Sequence, residues 1–309
     1  MLISIGEILV DIFEDGTHRD VLPGGAPFNV ACNAKLYTSE VTFYGSVGND
    51  ENRKLLIDTV NQKGFNYPHI KVLEDRYTSR AIVSLKDGER SFRFERDNGA
   101  DYILDINDID LSMIKDNDII HIGSLMLSYQ SGRDFFDALV SKIREHTKAK
   151  ISFDINYRDD IFNSPEEAKK VFLNAFKKAD ILKFSLEEIN LFSNKKDIIE
   201  ALDELVSPSH IVVVTLGSKG SIFCHNKKAV HVDTYPVKPV DTTGAGDAFY
   251  SYFLSSLINH PDFINDENQI KYYLTRANVV GGLATLKKGA IGSAPSEKEI
   301  ENFLNKVNN

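Results

Sequence analysis

The segment Asp241-Thr242-Thr243-Gly244-Ala245-Gly246-Asp247 puts two acids, two hydroxyls and three small residues into seven positions. Phe249, Tyr250, Tyr252, Phe253 and Leu254 follow, an apolar run of helical length. The small residues therefore sit where a helix begins. Backbone amides at a helix start point outward without intrahelical partners, and the helix dipole favours negative charge there. Gly244, Ala245 and Gly246 thus read as an anion hole for the charge on a transferred phosphoryl group. Asp247, in the first turn, can take the proton of an attacking hydroxyl, a role worth about 10²–10⁴ in rate. No Walker A pattern competes for the phosphate: Gly217-Ser218-Lys219-Gly220-Ser221 lacks the required spacing, and the protein-kinase loops are absent too.

These residues need a frame. Short apolar runs at 118–123, 150–155, 180–184 and 210–215 read as strands buried on both faces. Ser164-Pro165 with Glu167, and Ser296 with Glu299, carry the signals of helix starts. Alternating strands and helices imply an α/β fold, a mostly parallel sheet sandwiched between helices. Two segments break the rhythm. Residues 77–96 read as a hairpin around Lys86-Asp87-Gly88-Glu89, and residues 8–22 as a second extended excursion turning at Asp15-Gly16. Neither can bury a core alone, so they are expected to pair into a small projecting sheet, a lid. In open parallel sheets, ligands bind beyond the carboxyl ends of the strands. Asp11, Asp154, Asn156, Ser185, Glu188, Thr215 and Gly217 are expected at such ends.

The whole chain sets limits. It has 309 residues, 42% hydrophobic, enough for one large domain. A net charge of −9 argues against nucleic acid as the main partner. Two cysteines, Cys32 and Cys224, suit reduced thiols in a cytosolic protein. No signal peptide or membrane span is legible, so a soluble cytoplasmic protein is expected. The eight histidines, His225 and His231 among them, form no metal-ligand pattern.

Taken together, DTTGAGDAF resembles the C-terminal signature of the PfkB (ribokinase-like) carbohydrate kinases. Gly24-Gly25-Ala26-Pro27-Phe28-Asn29, followed by Gly45-Ser46-Val47-Gly48-Asn49-Asp50, resembles the N-terminal one. The resemblance covers essentially the whole chain, 1–309, as one kinase domain with a lid from about 12–23 and 77–96. It implies ATP as phosphoryl donor, with Asp247 as base beside Gly244, Ala245 and Gly246. Asp11, Gly25, Asn29 and Arg96 resemble sugar-contacting positions, and Arg158 resembles an arginine near the transferred phosphate. Thr215, Gly217 and Gly220 resemble the nucleotide phosphate and ribose loop, and Asn278 a position near the adenine. Lys183, Ser185 and Glu188 fit an N-x-x-E region with Ser in place of Asn, Glu188 organising Mg²⁺ through water. Asp241 and Thr243, with backbone near Gly289 and Ser293, match a place where the family holds a monovalent cation, here K⁺.

Gly24–Asn29, Gly88–Phe94 and Arg96–Asp101 resemble fructokinases, so fructose is the expected acceptor. A 2-keto-3-deoxygluconate kinase is the alternative, since it shares the Asn-x-Arg and Arg-x-x-x-Ala elements. A ribokinase- or nucleoside-kinase-like enzyme and a non-catalytic sugar sensor stand further off. The chain has no Trp, whereas a Trp often follows Asn-x-Arg in both leading groups. The lid's open edges and apolar face, with Ile82, Phe92 and Phe94, suggest a homodimer.

Overall fold

The computed structural model describes residues 1–14, 19–86 and 89–307; the side chains of 84–92 are outside that description. In chain order the strands are β1 (Leu2–Ile5), β2 (Leu9–Glu14), β3 (Arg19–Gly24), β4 (Val41–Gly48), β5 (His69–Leu73), β6 (Arg80–Lys86), β7 (Glu89–Glu95), β8 (Ile119–Ile122), β9 (Lys150–Asp154), β10 (Ile181–Ser185), β11 (Ile211–Thr215), β12 (Ser221–His225) and β13 (Lys228–Val232). The helices are α1 (Ala26–Ala34), α2 (Asn52–Lys63), α3 (Gln130–His146), α4 (Pro165–Phe176), α5 (Leu186–Phe192), α6 (Ile198–Leu205), α7 (Ala245–Asn259), α8 (Glu267–Ala284) and α9 (Glu297–Val307).

Nine strands form the main sheet in the order β13-β12-β11-β10-β9-β8-β1-β4-β5. It is parallel from β11 to β5, with β12 and β13 turned back antiparallel. The apolar runs explain it. Alternate strand residues feed opposite faces: Ile211 and Val213 join one core with α1, α7 and α8, while Val212 and Val214 join another with α3 and α4. The expected helix starts are present. Ser164 Oγ accepts from the Glu167 amide, and Ser296 Oγ from the Glu299 amide.

β3-β2-β6-β7 form a separate four-stranded sheet, and β2 runs parallel to β6. The two turns expected at Asp15-Gly16 and Asp87-Gly88 lie outside the described residues. One expectation is corrected. Asp11 does not end the first strand of the main sheet; it lies inside β2, opposite Leu22 and Ala81. Gly6, at φ 147°, breaks the run of Leu2–Glu14 and sends the chain from one sheet into the other.

The base of this small sheet is tied down. Asp50 Oδ2 accepts from the Thr78 amide at 2.7 Å, and Ser79 Oγ donates to Asp101. Gly48 admits no side chain, because a Cβ there would run into backbone at Arg76–Thr78.

Candidate active site

Two helix starts converge on one spot. α1 begins after Gly25, whose φ of 106° suits glycine and where a Cβ would strike the Glu7 carbonyl. α7 begins after Gly244, at φ 73°, packed so closely on Ala290 that a Cβ there would collide. The Ala245 amide donates to the Thr242 carbonyl at 3.3 Å. From these helices Asn29 and Asp247 reach each other: Asn29 Nδ2 donates to Asp247 Oδ2 at 2.8 Å.

Asp247 keeps a partly open face. Burial raises its pKa, to about 6, with Asp154 adding to the rise and the Asn29 hydrogen bond, Lys183 and Arg158 opposing it. At neutral pH that leaves the ionised, proton-accepting form the major one. Burial also raises Asp11, to about 7, reinforced by Asp247 and opposed by Arg158.

Two cavities flank this spot. The first, of about 280 Å³, is lined by Asp11, Gly25, Asn29, Arg158, Lys183 and Asp247, with Glu7, Leu9, Ala81, Phe94, Leu125 and Asn156. The second, of about 540 Å³, is lined by Thr215, Gly217, Ser218, Gly220 and Asn278, with Pro236, Val237 and Phe249. Thr242 and Gly246 line both. Ligand pockets commonly measure about 300–1,000 Å³, so one small polar ligand and one larger ligand fit the pair.

Lys183 stands near the junction. Its Nζ donates to both Asp154 oxygens at 2.8 Å, and a Cβ on Gly246 would lie 3.4 Å from it. Burial pulls its pKa down, but Asp154 foremost reverses this, so it stays charged.

Several residues picked from the sequence stand elsewhere. Arg96 does not line the cavity. It is 5% exposed and stacks beside Tyr102 and Tyr129. Its Nε and Nη2 donate to Asp101, Nη1 to Ser128 Oγ, and Nη2 also to the Leu125 carbonyl. It therefore braces the Leu125 turn behind the wall. Ser185 and Glu188 form the capping box of α5, and the Glu188 carboxylate also accepts from the Tyr157 amide at 2.8 Å. Neither lines either cavity. Asn278 Nδ2 donates to the Val232 carbonyl at the rim of the second cavity. Asp241 is buried; its Oδ1 accepts from the Thr243 amide and its Oδ2 from the Gly289 amide, which closes the 285–293 loop onto the α7 start. Ser293 Oγ donates to the Ala290 carbonyl in the same loop. Phe94, read as part of an outer face, packs with Leu9, Ala81 and Leu125 over the first cavity. Ile82 is half-buried against the main core, and the Phe92 side chain lies outside the described residues. Sequence reasoning missed Glu7, the wall acid. Its signal was a lone carboxylate inside the apolar run Ile5–Val10.

Among the described residues no group of three or more His, Cys, Asp and Glu is placed to hold a metal ion. No helix among them is long and apolar enough to cross a membrane.

Known proteins share this sequence and fold. The pfkB family carbohydrate kinase profile matches residues 3–297, and the chain belongs to that family. Probable fructokinase-4 of Arabidopsis thaliana is 32% identical over 98% of this chain and 96% of its own length. The fructokinase of Vibrio alginolyticus is 31% identical over 97% of both chains. Among solved structures, the Vibrio cholerae O395 fructokinase in its fructose-, ADP- and calcium-bound form superposes with TM-score 0.88 at 32% identity, over 98% of both chains. Aminoimidazole riboside kinase from Salmonella enterica shares the fold, with TM-score 0.85 at 23% identity. The protein is a fructokinase-like, ATP-dependent carbohydrate kinase.

Proposed function

We propose that the chain phosphorylates fructose to fructose 6-phosphate, with Asp247 as general base. The observation that carries the reading is the shared wall: Thr242 and Gly246 border both cavities, and Asp247 borders only the smaller one. A sugar in the smaller cavity meets Asp11, Gly25, Asn29 and Arg158. ATP in the larger one lies along Thr215, Gly217, Gly220 and Asn278. Its terminal phosphate then meets the first turn of α7 and the Lys183 ammonium. Asn29 holds the Asp247 carboxylate toward the acceptor hydroxyl. As the hydroxyl oxygen attacks phosphorus, its proton passes to Asp247 and ADP leaves. Positioning and charge stabilisation supply most of the rate. The small sheet covers the sugar and keeps water from competing.

Mg²⁺ is expected to come with the nucleotide's phosphates, where it neutralises charge; to reach it through water Glu188 would have to leave the Tyr157 and Ser185 amides that its two oxygens accept from in the ligand-free fold. K⁺ is proposed to sit beside the loop that Asp241 closes. Activity at fixed ionic strength should then exceed that in sodium or a large organic cation; equal rates remove the ion. A homodimer through the edges of the small sheet predicts a scattering mass of about twice that of one 34.7 kDa chain.

The cations favour fructose over 2-keto-3-deoxygluconate. An acid substrate should need a second cation for its carboxylate; Arg96 is turned away from the cavity and Lys183 is already paired with Asp154, which leaves Arg158. ADP release with fructose, 2-keto-3-deoxygluconate, ribose, tagatose 6-phosphate and adenosine tests the assignment. Fructose should give the highest kcat/KM. Turnover of another compound in preference to fructose would reject it.

A further inference from the structure

The loop between α8 and α9 touches both walls of the smaller cavity. Its Gly289 amide donates to Asp241 Oδ2 at 3.0 Å. Its Ala290 packs against Gly244 at the α7 start, and the Ala290 carbonyl accepts from Asn33 Nδ2, on α1, at 3.2 Å. The same loop reaches the small sheet. Lys288 Nζ donates to Asp20 Oδ2 on β3 and stands 5.0 Å from the centre of the Phe13 ring on β2. A Cβ on Gly289 would lie 3.0 Å from Leu22 Cδ1. Leu22 is the β3 residue paired with Asp11 in β2.

A half-exposed ion pair by itself contributes little. Here it does not stand alone. The ring beside the ammonium adds a cation–π contact, and the approach of Leu22 to Gly289 adds packing at the same spot. What these contacts join matters more. On one side is β2, which carries Asp11 to the wall of the smaller cavity. On the other is the loop that backs Gly244 and holds α1, and from these two helices Asp247 and Asn29 meet. The smaller cavity lies between them, so its walls keep their spacing only while the small sheet is docked on the loop. The start of β6 is anchored elsewhere, through Thr78 to Asp50 and through Ser79 to Asp101. The Lys288 contacts hold the β3 edge.

We infer that Lys288 is a positioning residue of the sugar site: it clasps the β3 edge of the small sheet to the loop behind the α7 start, and so sets Asp11 at its working distance from Asn29 and Asp247. This rests on the reading of the smaller cavity as the sugar site. Lys288 lines neither cavity, so its effect runs through the sheet. A sugar needs both walls. A chain whose clasp is open is lost to sugar binding, and the apparent Kd rises by the inverse of the fraction still docked. The larger cavity takes no wall from the small sheet, so ATP is indifferent to the clasp.

The experiment is calorimetric titration of D-fructose into the full-length wild type, Lys288→Glu, Asp20→Lys and the double reversal, beside steady-state KM for ATP at saturating fructose. Both side chains are about half exposed, so the variants should fold. Each single reversal should weaken the Kd for fructose by more than about twofold, with KM for ATP within about twofold of wild type. The double reversal should bind fructose more tightly than either single variant, because the pair is restored with its signs exchanged. Lys288→Met with Asp20→Asn replaces the reversals where one does not fold; the double loss should then stay no larger than the larger single loss, and a larger one overturns the clasp. Fructose binding by either single reversal within about twofold of wild type overturns the role of Lys288. So does a double reversal no tighter than the tighter single variant, since the two residues then do not act on each other. A rise in KM for ATP beyond about twofold overturns it too, as the mark of general damage. These results leave the kinase reading standing. If the variants behave as expected yet fructose is not phosphorylated, the proposed reaction fails and the clasp stands. A wild type that binds no fructose overturns both.

Discussion

Replacing Asn29 with alanine should move the acid limb of the pH–rate profile toward higher pH. Asp247 must be ionised to accept a proton, and its pKa in the free protein is about 6. Wild-type kcat/KM, which reports groups of the free enzyme, should therefore fall about tenfold per pH unit below about 6. The Asn29 amide donates to the charged form of Asp247 at 2.8 Å and lowers its pKa. A hydrogen bond to a charged group is worth about 1.5–3 kcal/mol. Its removal should raise Asp247 by about 1–2 units, since one unit corresponds to about 1.4 kcal/mol. The limb would then sit near 7–8, at roughly that position given the same conversion. Asp11, at about 7, also titrates in this range, so the assay compares whole profiles of variant and wild type rather than one limb. KM for the sugar should rise as well, because Asn29 lines its cavity. A limb that stays in place or moves to lower pH would refute the pairing of these residues in function.

Asp247→Asn should keep the fold and sugar affinity and lower kcat by about 10²–10⁴, read by coupled assay and circular dichroism; near-wild-type kcat removes Asp247 from the base role. Gly244→Ala should cost more than about 1 kcal/mol of stability in a thermal melt and lower kcat, because φ is positive and Ala290 blocks the new Cβ. Glu7→Gln should raise Tm over wild type by a margin that grows with pH. The folded-state value of Glu7, about 8, lies above its ordinary 4.5, so its stability contribution is present below about 4.5 and lost as pH rises through about 8. The full difference is of the order of 5 kcal/mol. A margin independent of pH between 5 and 9 would show that Glu7 is ionised throughout.

The frame was readable where burial is regular. Val212–Val214 and Ile151–Phe153 are apolar on both faces, and both are inner strands of a parallel sheet. The small sheet was readable because 77–96 alternates and cannot close a core. Asp11 was expected at the end of the first main strand; the bend at Gly6, invisible in a run of apolar residues, carries it instead into β2, within the 8–22 excursion expected in the small sheet. The heptapeptide announced a charged helix start, but its partner did not: Asn29 is 218 residues away in sequence. Arg96 is plainly a basic residue in the chain, yet its direction depends on Asp101, Ser128 and Leu125, which only the folded chain brings together. Glu188 and Ser185 kept their spacing, and that spacing served a helix cap in the ligand-free fold.

The parallel pairing of β2 with β6 has a consequence for how the chain assembles. α1, β4, α2 and β5 all intervene between the two strands, so neither can find the other by local search. Non-local pairings of this kind form late, after the intervening chain has closed the loop between them. The roof over the smaller cavity is therefore a pairing that local sequence cannot secure. The meeting of α1 and α7 at the cavity floor spans more sequence still, 218 residues from Asn29 to Asp247, so roof and floor both depend on the folded whole and competence to bind the acceptor follows completion of the fold.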